Sequence, residues 1–139
     1  MVTNKELHIN LIGKKYPKNI QNLIQRFRRP YPTGIDYIRR LDKEYKIIRD
    51  KGFVDTFERV CDILDLIKNK NIPHVLRGSA ASSLVCYQLG ISDIDPIKEK
   101  IPLTRFMNLC RDTQPDVDLD VPHWIRDLLI DEFHELHPN

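Results

Sequence analysis

Two short segments carry the side chains best suited to chemistry. Arg77-Gly78-Ser79-Ala80-Ala81 joins a planar guanidinium to a glycine and a serine, and Pro115-Asp116-Val117-Asp118-Leu119-Asp120 sets three carboxylates at alternate positions. Gly78 removes a side chain where backbone must approach a ligand closely, and Ser79 stands where the N-cap of a following helix is expected. The first amides of such a helix have no partner within it, and its dipole is positive at that end, so an anion meets ready donors there. Arg77 adds a guanidinium suited to bidentate phosphate contact. An ordinary serine cap explains the same residues without a ligand.

In the second segment, period-two alternation puts Asp116, Asp118 and Asp120 on one face of a strand and Val117, Leu119 and Val121 on the other. Neighbouring carboxylates repel, and a chain that keeps them together is suited to holding cations. Magnesium takes carboxylate oxygens together with substrate phosphates. Two such ions roughly 3.5–4 Å apart stabilise the attacking and leaving oxygens of a phosphoryl transfer. The alternative is an exposed acidic edge strand. Phosphate cradle and metal site together point to nucleotide chemistry.

The elements that must position these segments are mostly helical. From Gly34, apolar Ile38, Leu41, Tyr45 and Ile48 recur at three- and four-residue steps, and Gly52 supplies a stop. Phe53, Phe57, Val60, Cys61, Leu64 and Ile67 form a second stripe, closed by Asn69-Lys70-Asn71. Both stripes are read as core-facing scaffold. Residues 73–76 read as a short strand entering a turn at Arg77-Gly78, residues 80–89 as a helix of small and apolar residues, and residues 116–121 as the acid-bearing strand. Pro122 begins a last helix carrying Trp124, Leu128 and Phe133. Residues 1–33, with Pro17, Pro30 and Pro32 around a basic stretch, read as an N-terminal basic arm or linker, and residues 34–139 as the folded body.

The chain has 139 residues, enough for one domain with a core. Its net charge is only +2, yet basic residues such as Lys14, Lys15, Arg26, Arg28, Arg29, Arg39, Arg40 and Lys43 crowd its first third. They suit a phosphate backbone, or equally a solvated helix face. Cys61, Cys86 and Cys110 are odd in number and widely spaced, unlike a disulfide framework or zinc knuckle, so they read as apolar fillers in a reducing compartment. With no span-length apolar stretch and no signal pattern, the cytoplasm is the expected location and no membrane partner is expected. His134 and His137 lie three apart, not at the spacing of a helical zinc protease motif, and the chain contains no GxxxxGK[ST], GxGxxG or GxSxG sequence.

The run from Arg77 through Asp95-Pro96 resembles the catalytic palm of C-family bacterial DNA polymerases, the alpha subunit of DNA polymerase III. Thr104-Arg105-Phe106-Met107-Asn108 and Pro115-Asp116-Val117-Asp118-Leu119-Asp120 resemble that family's next two motifs in the same order, and Tyr37-Ile38-Arg39-Arg40-Leu41 through Gly52-Phe53 resembles the helices leading into the palm. The resemblance covers about residues 35–133. It implies an α+β, helix-rich fold with a small sheet, a partial polymerase-beta-like nucleotidyltransferase palm. It further implies that Asp116 and Asp118 are catalytic ligands of magnesium, and that Arg77, Gly78, Ser79, Arg105 and Arg111 contact a triphosphate. Asp120 fills its place in the motif without an assigned role.

Four departures stand out: His74-Val75-Leu76 replaces the usual Gly-Pro-Gly, Ser82 a glycine, Leu109-Cys110 a Pro-Glu, and Val121 a phenylalanine. The family's third catalytic carboxylate lies well beyond the Asp-x-Asp pair, whereas only residues 121–139 follow Asp120. The family's phosphoesterase-like domain, fingers and clamp-binding region have no counterpart here.

The resemblance therefore implies DNA-directed transfer of deoxynucleotides (dNTPs) to a primer 3′-hydroxyl, with primer-template DNA and other polymerase subunits as partners. A chain of this extent is expected to be incomplete alone and to turn over little. The alternative is a non-catalytic polymerase-derived module that binds DNA, nucleotide or a polymerase partner. A minimal nucleotidyltransferase acting on a small or protein substrate is the third reading.

Overall fold

The computed structural model describes residues 16–72, 75–77, 79–103 and 118–120, with 122, 127, 130, 131, 134 and 135 beyond them. Its elements in chain order are α1 (Lys18–Gln25), α2 (Ile35–Lys51), α3 (Val54–Asn69), β1 (Val75–Arg77), a 3₁₀ turn (Ser79–Ser82), α4 (Leu84–Gln88) and β2 (Asp118–Asp120).

α2 and α3 form where the apolar stripes predict them. Along α2, Leu41, Tyr45 and Ile48 are fully buried, and α3 buries Val54, Phe57, Cys61, Leu64 and Ile67. Gly52 ends α2 in the left-handed region, at φ 70°, which glycine adopts without the strain of a Cβ. Its amide bonds Arg49 O at 3.3 Å and the next amide, Phe53 N, bonds Ile48 O at 2.9 Å, which satisfies two carbonyls at the helix end. Asp36 in the first turn and Arg49 and Lys51 in the last complement the helix dipole.

The body includes α1. Ile20, Leu23 and Ile24 are fully buried, and Tyr16, Phe27 and Tyr31 join them in the same hydrophobic cluster as Tyr45, Phe57, Leu84 and Leu89. Phe27 stacks on Tyr31 with ring centroids 5.9 Å apart, and the Tyr31 and Tyr45 hydroxyls meet at 3.0 Å inside the core. The described part of the expected arm, from Tyr16 onward, therefore packs with the body.

The expectation of an α+β palm with a small sheet is corrected by this architecture. The described residues build a helical body, and no sheet layer supports the core. The extended backbone that is described amounts to β1 and β2, paired antiparallel with Val75 opposite Asp120, Leu76 opposite Leu119 and Arg77 opposite Asp118. A palm sheet must bury one face against helices. Here the helices bury one another's apolar faces, and two strands of three residues are too short to act as a layer. Among the described residues, no helix is long and apolar enough to cross a membrane.

Candidate functional site

Arg77 is the last residue of β1, and its ladder partner is Asp118, the first of β2. Cross-strand partners in an antiparallel ladder share a face, so the backbone register unites the basic end of the first motif with the acidic second motif. Ser79 opens the 3₁₀ turn directly after β1. Gly78, Arg105, Arg111 and Asp116 lie outside the described residues, as does most of the expected C-terminal helix.

The helix expected over residues 80–89 is two pieces, and its cap is a different serine. The 3₁₀ turn ends at Ser82, Ser83 is extended, and α4 begins at Leu84. The Ser83 hydroxyl accepts from Cys86 N at 3.1 Å, so Ser83 performs the capping expected of Ser79.

The anion at the start of α4 is a side chain of the protein itself. Glu44, fully buried on α2, accepts from Leu84 N at 2.7 Å, from Val85 N at 3.1 Å and from the Ser83 hydroxyl at 2.6 Å. Burial pushes the Glu44 carboxyl above the usual carboxylate range, against the opposing pull of Ser83, the two amides and Arg40. Arg40, one turn earlier on α2, lies with Nε 3.4 Å from the Glu44 carboxylate and donates through Nη2 to Ser82 O at 2.6 Å and Ile101 O at 2.8 Å. Sequence reasoning missed this pair. Its only signal was an Arg and a Glu at i and i+4 flanking the apolar stripe of α2.

Several of the basic residues that suggested a nucleic-acid face bind the protein's own groups. Arg26 reaches three carboxylates of α3: Glu58, Asp62 at 2.9 Å and Asp65 at 3.2 Å. Arg28 pairs with Asp65. Arg29 lies over the Tyr87 ring, 4.1 Å from its centroid, and donates to Tyr87 O at 2.8 Å and Ser92 O at 3.1 Å. These contacts fasten the segment after α1 to α3 and to the end of α4, where the amides of Arg28 and Arg29 bond Gln88 O at 2.7 and 3.3 Å.

Asp118 and Asp120 occupy alternate positions of β2 and offer the hard oxygen donors that magnesium takes, so the donor chemistry fits the implied metal. Among the described residues, no group of three or more His, Cys, Asp or Glu is placed to hold a metal ion.

Residues 11–138 match the family model described as the bacterial DNA polymerase III alpha NTPase domain. The chain is 42% identical over 106 residues to the DNA polymerase III subunit alpha of Ureaplasma parvum, an alignment covering 74% of this chain and 11% of that protein. It is 38% identical over 130 residues to the subunit of the same name from Thermotoga maritima, covering 91% of this chain and 15% of that protein. Against the error-prone DNA polymerase of Pseudomonas fluorescens it is 39% identical over 97 residues, covering 68% of this chain and 9% of that protein. The chain thus spans roughly a tenth of the length of these relatives. With nearly its whole length matched, the chain belongs to the bacterial DNA polymerase III alpha NTPase-domain family.

Proposed function

We propose that this chain is the nucleotide-handling part of a DNA polymerase III alpha subunit, taking part in DNA-templated addition of deoxynucleotides to a primer. In that reaction the primer 3′-hydroxyl gives up its proton to solvent, its oxygen bonds the alpha-phosphate of a dNTP, the bond to the bridging oxygen of the beta-phosphate breaks, and pyrophosphate leaves. Arg77, Gly78, Ser79, Arg105 and Arg111 bind and orient the triphosphate, and Asp116 and Asp118 hold magnesium. Magnesium, when bound, neutralises phosphate charge and stabilises the attacking and leaving oxygens. Catalysis of this kind depends largely on positioning and preset charge.

The observation that carries this reading is the ladder register, in which Arg77 and Asp118 are direct partners although they come from separate motifs. A phosphate-binding cation beside a metal-binding carboxylate is the juxtaposition that a metal–triphosphate complex requires. Membership of the polymerase family supplies the substrate class: dNTPs and primed DNA, with other polymerase subunits as partners.

Titration of the chain with a dNTP, with and without magnesium, tests the reading. Magnesium-dependent binding is expected for the wild type, weakened at least about tenfold in Asp118→Asn as one charge-assisted contact is lost, with circular dichroism unchanged. Binding indifferent to both magnesium and the substitution defeats it. A second reading, a non-catalytic module, has its own observation: Glu44 already occupies the first amides of α4, which leaves fewer donors for a phosphate there. Metal-independent binding of DNA or of a polymerase subunit favours that module.

A further inference from the structure

We propose that Arg40 and Glu44 are positioning residues that hold the chain leaving the Arg77-Gly78-Ser79 motif in fixed relation to the chain entering the Thr104-Arg105 motif. This rests on the proposed nucleotide function, since both motifs are there assigned contacts to the triphosphate.

The geometry is a clamp built from one turn of α2. Glu44 grips the start of α4 through Ser83 Oγ, Leu84 N and Val85 N, and Ser83 passes the grip on to Cys86 N. Arg40 grips Ser82 O, the last carbonyl of the 3₁₀ turn, and reaches across to Ile101 O. Ser82 lies five residues after Arg77, and Ile101 lies four before Arg105. Two backbone segments that carry phosphate-binding arginines are therefore tied to a single guanidinium–carboxylate pair.

The pair is well suited to hold a precise geometry. Glu44 and Ser83 are fully buried, so neither can exchange its partners for water. The carboxylate has two oxygens with divided duties: Oε1 takes Ser83 and Val85, and Oε2 takes Leu84 and faces Arg40. Arg40 Nη2 donates to both carbonyls at once, and the planar guanidinium that carries it fixes the direction of the pair. The buried set of Glu44, Ser83 and the two amides is fully paired, so a shifted alternative there leaves a donor or a charge without a partner, whereas Arg40 Nε faces Glu44 as an ion pair and makes no hydrogen bond. Glu44 touches no proposed substrate atom, and its effect is exerted through the backbone it fixes.

The test uses Arg40→Lys, which keeps the charge but loses the fork, and Glu44→Gln, which keeps the size but leaves one accepting oxygen where there were two. Each full chain is titrated with a dNTP and magnesium at a temperature where circular dichroism shows it folded, beside Ile24→Val, a core variant on α1 whose side chain takes no part in the clamp's hydrogen bonds. Both clamp variants are expected to weaken binding at least fivefold, while Ile24→Val binds as the wild type does. Clamp variants that bind like the wild type overturn the proposal while the nucleotide reading stands.

A wild-type chain that binds no nucleotide overturns the nucleotide reading and, with it, the clamp's role in triphosphate binding. Hydrogen exchange then decides whether the clamp ties the two segments. Faster exchange at residues 82–86 and around 101–103 in Arg40→Lys, with α1 and α3 unchanged, upholds the tie, and unaltered exchange overturns that as well.

Discussion

Tyr37 donates its hydroxyl to the Asp95 carboxylate at 2.5 Å, joining α2 to the polar connection that follows α4. That hydrogen bond, with burial and the carboxylate's charge behind it, pushes the Tyr37 hydroxyl up to about 12 from an ordinary value of 10.0. The native state therefore holds this proton more tightly than the unfolded chain does. The bond's contribution to stability is complete below pH 10 and is lost as pH rises through about 12. The melting-temperature difference between wild type and Tyr37→Phe is expected to be constant from neutral pH to about pH 10 and to disappear above about 12; a difference that persists at higher pH contradicts the assignment. Two residues show why such contacts escape a sequence. Glu44 reads as one acid among many along α2, and its burial follows from a partner segment 39 to 41 positions away. Ser79 satisfies the local rule for an N-cap, but the cap is Ser83, whose hydroxyl accepts from Cys86 N and donates to the Glu44 carboxylate.

Among the elements, α1 is the one that local pattern conceals. Its apolar residues Ile20, Leu23, Ile24 and Phe27 do recur at three- and four-residue steps, but Pro17 and Pro30 bracket them and Arg26, Arg28 and Arg29 interleave. In the fold, Pro17 simply precedes the first turn, where a missing N–H costs nothing. The arginines are the element's fastening to α3 and α4. Leu23→Ala is expected to destabilise the whole chain by about 2–5 kcal/mol, the range for a fully buried leucine, read as a shifted denaturant midpoint. A mobile arm would show no shift. By contrast, α2 and α3 were fully legible, because each needs only one continuous apolar stripe and a glycine or polar stop. The strands read over residues 73–76 and 116–121 overlap the ladder strands Val75–Arg77 and Asp118–Asp120, although Arg77, read as a turn residue, ends β1, and the small sheet expected around them is not what the described residues build. That expectation came from family resemblance, and the period-two pattern by itself supports only the ladder.

At the scale of the whole molecule, the core is continuous from Tyr16 to Leu103, so its described parts should open together. Cys61 and Cys86 are free, buried thiols on α3 and α4, and they report on that. Burial pushes the Cys61 thiol up to about 11 and that of Cys86 higher still, so both are protonated and shielded at pH 8 in the folded state. Mass-resolved labelling at pH 8 is expected to leave both unmodified in the native protein and to modify both across the same denaturant transition. Labelling of Cys86 at lower denaturant than Cys61 would show that α4 opens on its own.

α4 also bears on the order of assembly. Five residues cannot sustain a helix by themselves, since the nucleation cost exceeds what so few internal bonds return. This one is held at its start by Glu44, 39 to 41 positions earlier, and at its end by Gln88's bonds to the Arg29 and Pro30 carbonyls, 59 and 58 positions earlier. Contacts of such sequence separation form only after the loops between them have closed. The turn behind Arg77 is therefore a late product of folding, shaped on a scaffold that α1, α2 and α3 must already have built.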